Sequence, residues 1–325
     1  MALNSQGAVA TYTFAPAPIS GDLKCLPRAQ RENRFLTAAF WSIPLAFLKV
    51  VEVLPPMLSG AGEGDGSVSM ERRVKSFTEE IMAIQSYVVM ILVANVKRDD
   101  ATTVDPVQAA LLLHEALGVD AAPVIVVRDL NRSRFLSTVL TAVALGLRSA
   151  MVAWGDDLRP GSTSSNVRDF PDLSTAIRAA AAIALSVNPR FRILAPVNVE
   201  GLSTGSGVKR AKDRLAAGAD LLLAQPPTTD DGEAFDRHLD LLRKAGLDRK
   251  TCLGVFHFRG QEDVEHYEAL FGWRLPRSLH ESSGAGESAL AEVERRVIGR
   301  IQAEGLPGVC VSTRGLPHIA KSLLS

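Results

Sequence analysis

Cysteine is scarce, and the few present do not cluster. Cys25, Cys252 and Cys310 are the only three in 325 residues; no CxxC pair exists, and no His/Cys group has metal-ligand spacing. A disulfide framework and a structural zinc site are excluded, and a reducing, cytoplasmic setting is the expectation. Net charge is also missing. Lys plus Arg is 36 and Asp plus Glu is 36, so the chain lacks the basic excess of a nucleic-acid binder. The most apolar N-terminal stretch, FLTAAFWSIPLAFL at 35–48, follows Lys24, Arg28, Arg31 and Arg34 and has the outline of an export signal. It is shorter than the ~20 residues of a spanning helix, Pro44 interrupts it, and it runs into a strand-like segment. A helix packed against the domain is therefore expected there, and residues 1–30, with aperiodic Ala, Pro, Ser and Gly, read as poorly structured.

What the chain has is apolar material in short, evenly spaced pieces. Apolar residues make up 46%, enough for a sizeable core. Eight runs rich in Val, Ile and Leu read as strands: KVVEVLPP (49–56), YVVMILVAN (87–95), APVIVVRD (122–129), SAMVAWGD (149–156), FRILAPVN (191–198), DLLLAQPP (220–227), TCLGVFHF (251–258) and GVCVST (308–313). None alternates cleanly with polar residues, as expected of strands covered on both faces. Helical spacing appears between them at 107–117, 135–147, 172–187, 208–217, 233–245, 290–304 and 316–324. Gly146, Gly218, Gly246 and Gly305 stand where caps would end four of these helices.

Strands alternating with helices predict a (β/α)8 TIM barrel over 46–325, with 1–45 as an N-terminal extension. A doubly wound open sheet is the rival, and it would carry a dinucleotide-binding glycine turn after its first strand. GAGEGDGS (60–67) is glycine-rich but does not fit GxGxxG leading into a helix, so it reads as a mobile loop.

In a parallel barrel, chemistry gathers where the strands end. Here several strands end in polar residues. Glu52 lies inside an apolar strand, where an unpaired carboxylate is costly; it either finds a partner or has a raised pKa suited to giving up a proton. Asp129 with Asn131 follows the third strand and reads equally as a helix N-cap. Gly155 and Asp156 end the fourth, with Asp157 as a turn residue. Asn198 ends the fifth. Gln225, embedded in LLLAQPP, has an amide that offers a donor and an acceptor to a flat heterocycle. His257 reads best as a hydrogen-bonded core histidine, and Ser312, Thr313 and Arg314 close the eighth strand.

The order VEVLPP, RDLNR, VAWGDD and VKRAKDRLAAGADLLLAQP resembles the methylenetetrahydrofolate reductase family, from about residue 48 to the C-terminus, with 209–226 the most specific stretch. The resemblance implies a (β/α)8 barrel that reduces 5,10-methylenetetrahydrofolate to 5-methyltetrahydrofolate, with hydride from NADH or NADPH passing through FAD. It implies that Glu52 is the acid that opens the folate ring to an iminium, and that Asp156 and Gln225 contact the pterin. Asp129, Gly155, Asn198 and Arg214 fall on the cofactor side, and a homo-oligomer is expected.

The chain also departs from the family pattern. Val124 stands where a histidine is usual, Ala195–Val199 replaces a Tyr-Pro-Glu-x-His type sequence, and an aspartate is replaced around Gly205–Gly207. Arg214 takes the place of a lysine, and the last strand lacks an aromatic residue near Ser312. The pterin side is thus kept better than the flavin side. Three functions follow: a reductase, with or without flavin; a pterin-dependent methyltransferase; or a non-catalytic folate-binding partner subunit.

Overall fold

The computed structural model describes residues 47–59, 70–95, 101–128, 130–155, 169–225, 228, 232–271, 275, 277–284, 286–313 and 317–324. The extension expected over 1–45, the 60–67 loop, Asp129, Asp156, Asp157 and Arg314 lie outside them.

The described residues form ten strands: β1 (Leu48–Val53), β2 (Met57–Ser59), β3 (Met90–Val93), β4 (Ala101–Thr103), β5 (Asp120–Val126), β6 (Ser149–Ala153), β7 (Arg192–Asn198), β8 (Leu221–Gln225), β9 (Thr251–Phe256) and β10 (Gly308–Ser312). Eight of them close a barrel in the order β1-β10-β9-β8-β7-β6-β5-β3, every pairing parallel. These are the eight apolar runs of the sequence, most of them trimmed at their C-terminal ends, while β1 and β5 begin earlier than expected, at Leu48 and Asp120. Two of the trims fall before Pro55–Pro56 and Pro226–Pro227, where the chain lacks an N–H for the ladder. The antiparallel pair β2–β4 stands apart from the barrel.

The helices are α1 (Met70–Met82), α2 (Pro106–Leu117), α3 (Arg132–Ala144), α4 (Leu173–Val187), α5 (Gly205–Ala217), α6 (Glu233–Ala245), α7 (Gln261–Phe271), α8 (Arg277–Gly284), α9 (Glu287–Ala303) and α10 (Ile319–Leu324). Several of their starts carry a side-chain cap, Asn131 among them as the sequence suggests. Asp105 accepts from the Val107 N–H ahead of Pro106, Asn131 from the Arg134 N–H, and Asp172 from the Thr175 N–H. Gly146, Gly218, Gly246 and Gly305 all have positive φ, the conformation that stops a helix. Three helices, α7, α8 and α9, fill the connection between β9 and β10. No described helix is long and apolar enough to cross a membrane.

Alternation along the strands sorts the core into two layers. Val51, Val53, Ile91, Val93, Ile125, Val152, Ile193, Leu222, Leu253 and Val309 face the helices and join the large outer core. Leu48, Val50, Met90, Leu92, Ala122, Met151, Leu194, Leu221, Leu223 and Cys252 fill the barrel, with Val124, Ala153 and Cys310 packed against them. Burying each Leu, Ile or Val contributes about 2 kcal/mol over leaving it exposed. At the N-terminal end, polar groups seal the barrel. Buried Asp120 accepts from Ser149 Oγ at 2.8 Å and from the Arg192 guanidinium. Asp220 accepts from the Ile193 N–H, and Lys49 Nζ donates to the Leu324 carbonyl.

Candidate functional site

Parallel strands put all their C-terminal ends on one rim. The inward set continues by twos from the apolar filling: on β1 from Leu48 and Val50 to Glu52, on β7 from Leu194 to Asn198, on β8 from Leu221 and Leu223 to Gln225, and on β10 from Cys310 to Ser312. Glu52 and Gln225, far apart in sequence, therefore share the same mouth. Asn198 and Gln225 are register partners on β7 and β8. Glu52 is opposite Ser312 on one side and Leu92 on the other.

Glu52 is half-buried as a residue, but its carboxyl is sunk in the mouth. Burial pushes its pKa up, and a hydrogen bond from Ser312 pulls it partly back. The Glu52 carbonyl accepts from Thr313 Oγ1 at 3.1 Å, which fixes the end of β1 against β10. Below the acid, burial raises the Cys310 thiol well above its usual range, and Glu52 and Cys252 raise it further. Burial holds both thiols, Cys252 and Cys310, in their protonated form.

Gln225 is exposed on the rim. Its backbone carbonyl accepts from the Val199 N–H at 2.8 Å, extending the β7–β8 ladder one step past the strands. Gly155 follows β6 with φ of 95°, and a Cβ there would stand 2.5 Å from Val126 Cγ1. Both the backbone conformation and the close approach to β5 require glycine. Asp156 is the next residue, outside those described. Arg128 is buried past the end of β5, with its N–H on the Trp154 carbonyl.

One wall of the mouth is aromatic, and the sequence did not announce it. Phe256, the register partner of Ser312, stacks edge-to-face on Tyr267 of α7 with centroids 4.9 Å apart. Phe258 meets the same ring at 5.4 Å. With Val264, Leu279 and Leu290 they form a small cluster separate from the main core. An aromatic side chain thus stands beside Ser312, supplied by β9 rather than by the last strand.

His257 points away from the mouth. Its Nδ1 is 2.9 Å from Glu294 Oε2, and Glu294 Oε1 accepts from the Phe258 N–H. Burial raises the Glu294 pKa, and His257 counters that rise. His257 is a core histidine, as its sequence context suggested.

The described residues on the cofactor side serve the chain's own backbone. Asn198 Oδ1 accepts from the Gly201 N–H at 3.0 Å, holding the 3-10 turn Glu200–Ser203. The Arg214 guanidinium donates to the Pro196 carbonyl. Thr204 Oγ1 caps α5 by accepting from the Gly207 N–H, and Gly207 lies so close to the Gly201 carbonyl that a Cβ would stand 1.8 Å from it.

No protein-family model matches the chain, and no curated protein matches it in sequence. Among solved structures it is similar to an uncharacterised protein from Clostridium thermocellum that binds two copies of 5-methyl-5,6,7,8-tetrahydrofolic acid. The two are 12% identical with a TM-score of 0.57, over 86% of this chain and 96% of that one. It is also similar to a phosphoenolpyruvate phosphomutase from Streptomyces platensis subsp. rosaceus, at 15% identity and TM-score 0.47 over 87% and 82% of the two chains. A chitinase from Rhizomucor miehei gives 12% identity and TM-score 0.49 over 85% and 99%. At 12% identity the first likeness is one of fold, the (β/α)8 barrel.

Proposed function

We propose that the chain binds a reduced folate at the C-terminal mouth of its barrel and reduces 5,10-methylenetetrahydrofolate to 5-methyltetrahydrofolate, with hydride from NADH or NADPH. The carrying observation is the desolvated carboxyl of Glu52, raised in pKa, on the same rim as the Gln225 amide. The tetrahydrofolate bound by the Clostridium thermocellum protein of like fold supports the ligand class. The resemblance of 209–226 to the methylenetetrahydrofolate reductase family supports the reaction.

In this reading neutral Glu52 gives its proton to the folate nitrogen that leaves the methylene carbon, and the five-membered ring opens to an iminium. Hydride from the reduced nicotinamide adds to that carbon, leaving a methyl group and an oxidised nicotinamide. Solvent then returns a proton to Glu52. Gln225 offers its amide to the donor and acceptor edge of the pterin, and Asp156 is assigned to the pterin by the family resemblance alone. Phe256 supplies a flat apolar wall. The acid needs to be protonated near neutral pH, and burial within the mouth favours that state.

The test is turnover by the purified full-length chain. Oxidation of NADH or NADPH is followed with 5,10-methylenetetrahydrofolate present and absent, before and after adding FAD. Folate-dependent oxidation that Glu52→Gln abolishes supports the reading. Tight folate binding without nicotinamide oxidation makes the chain a folate-binding partner subunit instead. Turnover that is unchanged in Glu52→Gln sinks the acid role.

A further inference from the structure

Beside the mouth lies a buried polar cluster that the proposed chemistry does not use. His238 of α6 is 1% exposed, and so is Thr228, three residues past Gln225. His238 Nδ1 is 3.0 Å from Thr228 Oγ1, and His238 Nε2 is 3.1 Å from Glu200 Oε1. Glu200 follows Asn198 by two residues and opens the 3-10 turn Glu200–Ser203. The same Glu200 oxygen accepts from Arg237 Nη2 at 2.7 Å. The Thr228 N–H donates to the Gly254 carbonyl of β9 at 2.7 Å.

One imidazole thus bridges the loop after β7 and the loop after β8. These loops leave the rim at Asn198 and Gln225, which are paired in register. The carboxylate at Nε2 accepts, so Nε2 carries a proton, and Nδ1 meets the threonine hydroxyl. Both ring nitrogens are spoken for, and the ring is buried, so its orientation is fixed. Leaving Thr228, which is buried, without this partner costs the desolvation of a buried hydroxyl, while Glu200, partly exposed, keeps Arg237.

We propose that His238 is the positioning residue of the Asn198–Gln225 edge: it ties Glu200, after β7, to Thr228, after β8, and so presents the Gln225 amide to the bound folate. This rests on the folate reading of the mouth. His238 touches no ligand; it acts through Thr228 and Glu200.

The experiment uses the full-length chain, His238→Leu, His238→Gln and Glu200→Ala. Amide hydrogen exchange is read without ligand over 198–204 and 225–232, with 192–194 at the opposite end of β7 as the internal control. The dissociation constant for 5-methyltetrahydrofolate is read in parallel. His238→Leu speeds exchange in both loops and leaves the control unchanged, and it weakens folate binding by roughly tenfold, about what one lost buried hydrogen bond gives. His238→Gln, whose amide can still donate to Glu200, recovers part of both losses. Glu200→Ala, altered at a partly exposed partner, loosens the same loops even if His238→Leu fails to fold. Exchange that changes in one loop only, or rises evenly through the barrel, overturns the proposal. So do loops that loosen with no change in affinity. If the unaltered chain binds no 5-methyltetrahydrofolate, the folate reading fails, while the exchange pattern still decides whether His238 ties the two loops.

Discussion

Glu52 and Ser312 are register partners on adjacent parallel strands, and Ser312 lowers the pKa of the Glu52 carboxyl that burial raises. This pairing joins the first and last strands of the barrel at the point where the proposed proton transfer takes place. It also sets two opposing influences on one group: burial raises the pKa and Ser312 lowers it.

Ser312→Ala removes the lowering influence. The pKa of Glu52 rises further, so a larger share stays protonated as pH climbs. The alkaline limb of the kcat profile moves to higher pH, measured with 5,10-methylenetetrahydrofolate and NADH or NADPH. A limb that moves to lower pH contradicts the assignment of Glu52 as the acid.

Glu52→Gln separates activity from stability. Loss of a general acid lowers kcat by roughly 10²–10⁴-fold. Stability goes the other way. The folded-state pKa lies above the unfolded one, so the neutral form's contribution is full at acid pH and is lost as pH rises through the folded-state value. Glutamine keeps the neutral form at every pH. Tm measured against pH therefore shows the variant gaining on the unaltered chain as pH increases, with the two converging below the ordinary glutamate range.

Gln225→Ala leaves the fold alone, because the side chain is exposed on the rim. Thermal melting is unchanged within error, and calorimetric titration with 5-methyltetrahydrofolate shows affinity weakened by roughly tenfold.

Gly155→Ala destabilises the chain by about 2 kcal/mol from backbone conformation alone, and the new methyl meets Val126 Cγ1 at 2.5 Å. Denaturant melts show a lower midpoint. Folate affinity falls as well, because the chain leaving β6 at the rim is displaced from Val126.

Asp120→Ala acts at the opposite end. It strands buried Ser149 and removes the partner of Arg192, and breaking such a pair costs about 3 kcal/mol. The midpoint in urea drops while folate affinity in the folded protein stays the same. Equal losses in both measurements contradict the separation of seal from site.

The barrel was legible in the sequence because each of its strands is a short run covered on both faces, and no amphipathic alternative competes for such runs. The helix-ending glycines were legible because positive φ admits few other residues. Glu52 stood out as a charge where the strand has otherwise only apolar residues. The sequence was silent on the β2–β4 pair, whose three-residue strands carry no period, and on α1, α7 and α8, whose polar character hides their helical spacing. The Phe256–Tyr267 wall and the His238 bridge were not legible either. Each depends on side chains from separate segments: Glu200 is 38 residues from His238, and no local pattern records such a meeting.

The filled interior has a kinetic corollary. With Leu48, Met90, Met151 and Leu221 plugging the axis, the described residues leave no back exit, and whatever reaches Glu52 through them enters and departs by a single doorway. Under the proposed reaction, reactant and product queue for that doorway, so excess of the methylated product is expected to slow turnover by occupying the threshold rather than by acting at a distance.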